Sequence, residues 1–266
     1  MTTNLLHWPH TMRTLAIAAF IGIMASCAVH SAEPAGGAEE PAASPWTLTV
    51  APYFWGAALS GSVAAFGSPA TNIDMSFSDI LGDLDASVMV AGELRYGRFS
   101  LSSDLLYLKL STDEATPLGI LVGDVGLKTT TKEASLLAGY AVVERDNLRI
   151  DAMAGPRVWS VDNELSFNGG FFGGRTFEDD ATWVDAMGGI KGRYDFTDRF
   201  YVTGMALAGA GGSDFGWDLM GGFGYQIADH FAAVAGYRAL GVDYRNSNFV
   251  FDVTVKGPIV GLSLQF

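Results

Sequence analysis

Seven acidic and seven basic side chains recur at one parity of an alternating pattern, and they are the residues of this sequence best placed to act on one another. Glu93, Asp104, Glu133, Asp151, Asp185, Asp218 and Asp252 stand against Arg95, Arg149, Arg157, Lys191, Arg193, Arg238 and Lys256. An even balance is what a narrow closed interior filled with ion pairs demands, because an unpaired buried charge is costly. All of these except Lys256 are expected to form one interior cluster. Such a cluster either plugs a lumen or lines a narrow pore with a ladder of charge. Plugging is favoured, because a small barrel encloses little more than its own side chains.

Other chemistry finds less support. Ester or peptide hydrolysis needs a base beside a serine, a water or a carboxylate. The histidines are His7, His10, His30 and His230. The first three fall in a predicted export signal, and His230 falls in a predicted tight turn, so no catalytic residue is assigned. No histidine pair offers a zinc site. Asp74, Asp79, Asp83 and Asp85, and later Glu164, Glu178, Asp179 and Asp180, are acidic clusters without the spacing of a calcium loop, and they are read as solvated loops. No metal and no cofactor is expected. Gly209–Gly212 and Gly221-Gly222-Phe223-Gly224 are followed by no helix that could bind phosphate, and they read as places where strands bend or pack closely.

The elements that position the charges follow from the pattern around them. Val88, Val90, Leu94 and Tyr96 alternate with Ser87, Met89, Ala91, Glu93 and Arg95, and the same period of two recurs to the end of the chain. Tight polar connections at Gly97-Arg98, Glu144–Asn147, Thr197–Arg199 and Ala228–His230 alternate with long ones at Ala65–Asp85, Ser111–Lys128 and Asp162–Asp180. Two further connections on the second side, near Gly212–Asp214 and Asn246–Asn248, are short. Aromatics gather beside the tight turns: Tyr96, Phe99, Tyr194, Phe196, Phe200, Tyr225 and Phe231. Unequal connections and an aromatic girdle predict an all-β, transmembrane, antiparallel up-and-down β-barrel rather than a soluble sandwich. The count is ten strands, with eight or twelve as alternatives. Within the first long connection, Phe77, Ile80, Leu81 and Leu84 at helical spacing predict a short amphipathic helix packed over or into the barrel mouth.

Composition agrees. The chain has 266 residues, is 49% hydrophobic and only 17% charged, and has a formal charge of −13. After the first thirty residues no apolar run reaches the roughly 18 to 20 residues of a spanning helix. The negative charge and the lack of a basic stripe argue against a nucleic-acid partner.

Leu15–Ala25 is an apolar core preceded by Arg13 and followed by small residues, which predicts a signal peptide over residues 1–31. Met24-Ala25-Ser26-Cys27 offers lipobox processing as the alternative, and Cys27 is the sole cysteine. Residues 32–45 read as a flexible periplasmic linker, and residues 46–266 as the barrel.

At the other end Val260, Leu262, Leu264 and Phe266 alternate with Gly261, Ser263 and Gln265. This resembles the terminal-aromatic signal read by the barrel assembly machinery. Phe249, Phe251, Val253 and Val255 have the opposite parity, so a β-bulge is expected at Gly257-Pro258 to flip the face.

The domain resembles a group of poorly characterised, porin-like Gram-negative outer-membrane β-barrel proteins. The matching stretches are Ala51-Pro52-Tyr53-Phe54-Trp55-Gly56, Asp74-Met75-Ser76-Phe77-Ser78-Asp79-Ile80-Leu81, Gly236-Tyr237-Arg238 through Val242-Asp243-Tyr244, and Asp252-Val253-Thr254-Val255-Lys256-Gly257-Pro258. The resemblance implies a fold and an outer-membrane location, with no reaction attached. The expected partners are outer-membrane lipids, lipopolysaccharide and the assembly machinery, for a monomeric, non-enzymatic chain with a structural role. A narrow channel, a carboxylate- or metal-dependent lipopolysaccharide-modifying enzyme and an adhesin are the rival expectations.

Overall fold

The computed structural model describes residues 45–115, 124–168, 174–246 and 249–266. The predicted signal peptide lies outside them, and so does the predicted linker apart from Pro45. The alternation beginning at Trp46 produces β1 (Trp46–Trp55), β2 (Ala58–Ala64), β3 (Thr71–Met75), the helix α1 (Phe77–Gly82), β4 (Leu84–Tyr96), β5 (Phe99–Ala115) and β6 (Asp124–Arg145). Then follow β7 (Leu148–Asn168), β8 (Arg175–Asp195), β9 (Phe200–Gly211), β10 (Phe215–Ala228), β11 (Phe231–Arg245) and β12 (Val250–Gln265).

β1 and β4 to β12 pair antiparallel in chain order, and β1 also pairs with β12, which closes a ten-stranded barrel. Closure leaves no sheet edge to be solvated inside a bilayer. β2 continues β1 along β12 in one register, with Trp55 opposite Ile259 and Ala58 opposite Lys256. β3 then folds back on β2, so these two short strands form a hairpin at the long-connection end. Pro52, opposite Val90, is the last β1 residue paired with β4. Proline has no N–H to give a neighbouring strand, and above it Leu84–Met89 of β4 are laddered to β5 alone.

Hydrophobic residues point outward. Val88, Leu101, Val184, Ile190, Leu219, Phe223 and Leu262 are all exposed on the outer surface. In water this would be a very large apolar patch, whereas in a bilayer it is the lipid-facing band. Beneath it six of the seven predicted girdle aromatics form ring pairs, Tyr194 with Phe196 and Phe200 with Tyr225 among themselves, and Tyr96 and Phe99 with the unpredicted Trp46 and Tyr140, with ring centroids 4.5 to 5.2 Å apart.

The structure corrects three expectations about elements. There is no bulge at Gly257-Pro258: β12 pairs with β11 in unbroken register from Val250 to Leu264. Phe251 and Val253 are buried because the lumen itself is apolar at that height, so the interior changes character and the strand keeps its face. The connections Ser111–Lys128 and Asp162–Asp180 are largely strand, since β6 and β7 pair as far as Asp124 and Asn168, and β7 and β8 as far as Phe167 and Arg175. In these projecting ends the faces reverse relative to the lipid band: Leu165, Phe167 and Phe177 share the inward parity of Val161 and Ala181, whereas Glu164, Ser166 and Glu178 take the outward parity, so the pattern does not read as a membrane strand. Finally, α1 touches β2 and β3, and Phe77 meets the outward-facing Phe54 edge-on at 5.9 Å. The helix therefore lies against the wall rather than over the mouth.

Candidate functional site

The interior is layered, and β7 passes through every layer. Its inward residues run Asp151, Met153, Gly155, Arg157, Trp159 and Val161 from the tight-turn end toward the projecting end.

At the projecting end the lumen is filled by an aromatic block. Trp55, Trp159, Trp183, Phe249, Phe251, Leu240, Val242 and Val253 are buried together, with Tyr244 packed against them. Trp183 stacks on Tyr244 at 4.1 Å and on Trp159 at 6.0 Å, and Phe251 leans on both tryptophans. Sequence reasoning missed this block, although Trp159 and Trp183 share the parity of Arg157 and Asp185 and could have been placed inside by that rule.

Below it lies a buried ion-pair layer. Arg157 lies 3.0 Å from Glu133 and 2.8 Å from Asp218. Arg238 lies 2.7 Å from Asp218 and 2.6 Å from Asp104, and its Nη1 donates to the Tyr53 hydroxyl at 2.8 Å. That hydroxyl donates in turn to Asp104 at 2.9 Å. Side chains from β1, β5, β6, β7, β10 and β11 thus meet around two guanidinium groups. Tyr53, which bridges Asp104 and Arg238, was not among the predicted residues; it lies on the inward parity of β1, next to Pro52.

Nearer the tight turns is a second network. Glu93 pairs with Arg95 at 2.6 Å and with Lys191 at 2.5 Å, and Asp151 pairs with Arg95 at 3.3 Å and Arg149 at 3.1 Å. Arg149 also reaches Glu144. Arg193 stands at the rim, pairs with Asp195 at 2.8 Å and places its guanidinium 3.6 Å from the centre of the Tyr201 ring. That ring lies over Gly224: a Cβ on Gly224 would collide with the Tyr201 ring carbons, so only glycine permits the stack.

Two predicted members stand apart. Asp185 is buried on the inward face but accepts a hydrogen bond from the Ser213 backbone N–H at 2.8 Å, with no ion pair among the described residues. Asp252 is not in the lumen. It faces outward near the projecting end and pairs with Arg245, which also holds Asp243. Its even number on an unbroken β12 puts it opposite in face to Phe251 and Val253.

Between the two networks is a chamber of about 430 Å³ that extends to the tight-turn ends of the strands, at Thr47, Gln226 and Gln265. No group of histidine, cysteine, aspartate or glutamate among the described residues is arranged to hold a metal ion. His230 is exposed in the tight turn between β10 and β11.

Comparison with known proteins bears on the fold. No family model matches the sequence, and no curated protein matches it. Among solved structures the chain is similar to the outer membrane protease OmpT of Escherichia coli, at 12% identity, 84% of this chain, 98% of that one and a TM-score of 0.51. It also matches the translocator domain of the autotransporter NalP from Neisseria meningitidis at 11% identity, over 96% of this chain and 95% of that one, with a TM-score of 0.48. The attachment invasion locus protein Ail of Yersinia pestis matches at 13% identity, over 83% and 98%, with a TM-score of 0.32. The closed ten-stranded sheet, its outward apolar band and the likeness to OmpT define a transmembrane β-barrel of the outer-membrane class.

Proposed function

We propose that this chain is a monomeric, non-enzymatic barrel of the Gram-negative outer membrane, exported by its N-terminal signal and related to the porin-like group its motifs resemble. In this reading the lumen is closed, and the projecting hairpins serve envelope integrity at the lipopolysaccharide surface. The single observation that carries it is the filled outer lumen, where a buried aromatic block sits on a buried ion-pair layer. Tight turns belong on the periplasmic side of such barrels, so β5–β6 and β7–β8 project toward the cell surface. The exposed place of His230 in a tight turn fits a chain that performs no acid–base catalysis at that surface. Val260, Leu262, Leu264 and Phe266 all lie on the lipid-facing side of β12, where the assembly machinery could reach them.

The test is planar-bilayer conductance of the purified chain, which should be free of discrete single-channel steps. Regular steps would favour the channel reading instead. A deletion strain should grow normally in plain medium and lose resistance to detergent, with resistance returning when the full chain is restored. An unaltered detergent tolerance would remove the integrity role.

A further inference from the structure

The chamber between the ion-pair layers has a lining that differs in sign from the rest of the molecule. Its cationic side chains are Arg95, Arg149, Arg157, Lys191, Arg193 and Arg238, whereas its anionic ones are Glu93, Asp104 and Asp151. Glu133, Asp218, Glu144 and Asp195, which pair with several of those cations, do not line the chamber. The groups that reach this space are therefore six cations and three carboxylates, each cation paired to a carboxylate beside or behind it, so an anion entering here meets guanidinium and ammonium groups more often than acids.

The rest of the lining is apolar. Leu137, Met153 and Leu207 pack together with Met205 against them, and these four residues line the chamber along with Met220. Thioether side chains are unbranched and adaptable, so they conform to flexible apolar ligands. A volume of about 430 Å³ falls within the range of small-molecule sites, roughly 300 to 1,000 Å³. Arginines aimed at one space suit a carboxylate, whose two oxygens match the guanidinium fork. The aromatic block closes the other end, which leaves the tight-turn end as the entrance, where the Arg193 side chain is 45% exposed.

We infer that this chamber binds an amphipathic organic anion, a carboxylate with an apolar tail, entering from the tight-turn end. The head group meets Arg95, Arg149 and Lys191, and the tail lies along Met153, Met205 and Leu207. This site is independent of the role proposed for the projecting hairpins, and its test does not depend on theirs.

The experiment is titration calorimetry of the full chain in lipid nanodiscs, with empty nanodiscs subtracted and with decanoate, decyltrimethylammonium and inorganic phosphate as probes. Decanoate should give saturable one-site binding, at least tenfold tighter than either of the others. Arg95→Gln should weaken decanoate at least tenfold, and Met205→Trp, which fills the apolar side, should abolish its binding. Val184→Trp, on the lipid face, should change nothing. Heat-dependent gel migration checks that each variant is folded, and either lining variant suffices if the other fails to fold. Absence of saturable heat, equal binding of the cationic and anionic probes, binding of phosphate as tight as decanoate, or indifference to a folded lining variant would each overturn the site.

Discussion

Arg238 engages Asp104, Asp218 and the Tyr53 hydroxyl at once, and its guanidinium also lies 5.2 Å from the centre of the Trp55 ring. Removing one partner of a buried charge cluster costs about 3 to 5 kcal/mol, because the groups left behind are neither solvated nor paired. Arg238→Met should therefore lower the unfolding free energy in micelles by roughly that amount. Arg193→Met, at a rim pair that water reaches, should cost about 1 kcal/mol or less. Equal effects from the two variants would deny the buried layer its special role. This contrast is only half legible in the sequence. Parity places Glu133, Arg157, Asp218 and Arg238 inside, but depth along the barrel has no periodic signal, so the rim residue Arg193 looks equivalent to the buried ones. Asp252 is misplaced for a related reason: the parity rule is anchored on the final residues, and the expected bulge reverses it.

Among the elements, α1 is the most legible, since Phe77, Ile80 and Leu81 at helical spacing follow a capping residue. Ser76 and Asp79 form a reciprocal capping box: the Asp79 carboxylate accepts from the Ser76 hydroxyl at 2.7 Å and from its backbone N–H at 2.8 Å. Those hydrogen bonds, the hydroxyl first, hold the Asp79 carboxyl below its ordinary range. A depressed value in the folded state means the cap contributes fully above pH about 4 and is lost as pH falls through the lowered midpoint. Ser76→Ala should move the Asp79 midpoint part of the way up toward the ordinary value in an NMR titration of the carboxyl carbon. An unmoved midpoint would contradict the cap. What the spacing could not reveal is which surface the helix meets, because Phe54, its aromatic neighbour, reads as an ordinary lipid-facing residue. The projecting hairpins escape notice for a different reason: β7 and β8 keep their alternation there, but with Asp162, Glu164, Glu178 and Asp180 on the outward parity, so the stretch reads as an acidic loop.

At the scale of the molecule, strand number, closure and the outward apolar face are all readable from period and turn lengths. The interior is harder, because one parity holds charge near the tight turns and tryptophan near the projecting end. Closure of the lumen is therefore a property of the stack and not of ion pairs alone. Conductance measures it directly: with Trp159 and Trp183 both replaced by alanine, the bilayer should show small discrete steps absent from the parent chain. If the double variant is as silent as the parent, the aromatic block is not the barrier.

The same block has a consequence for the chain before it is folded. Tyr53-Phe54-Trp55 and Phe249-Val250-Phe251 carry grease on both sides of the ribbon, unlike the amphipathic stretches near the tight turns. While crossing an aqueous compartment these would be the stickiest parts of the polypeptide, and Asp252 and Lys256, interleaved on the lipid-facing side, are the gatekeepers that keep the second of them from coalescing with other copies too early.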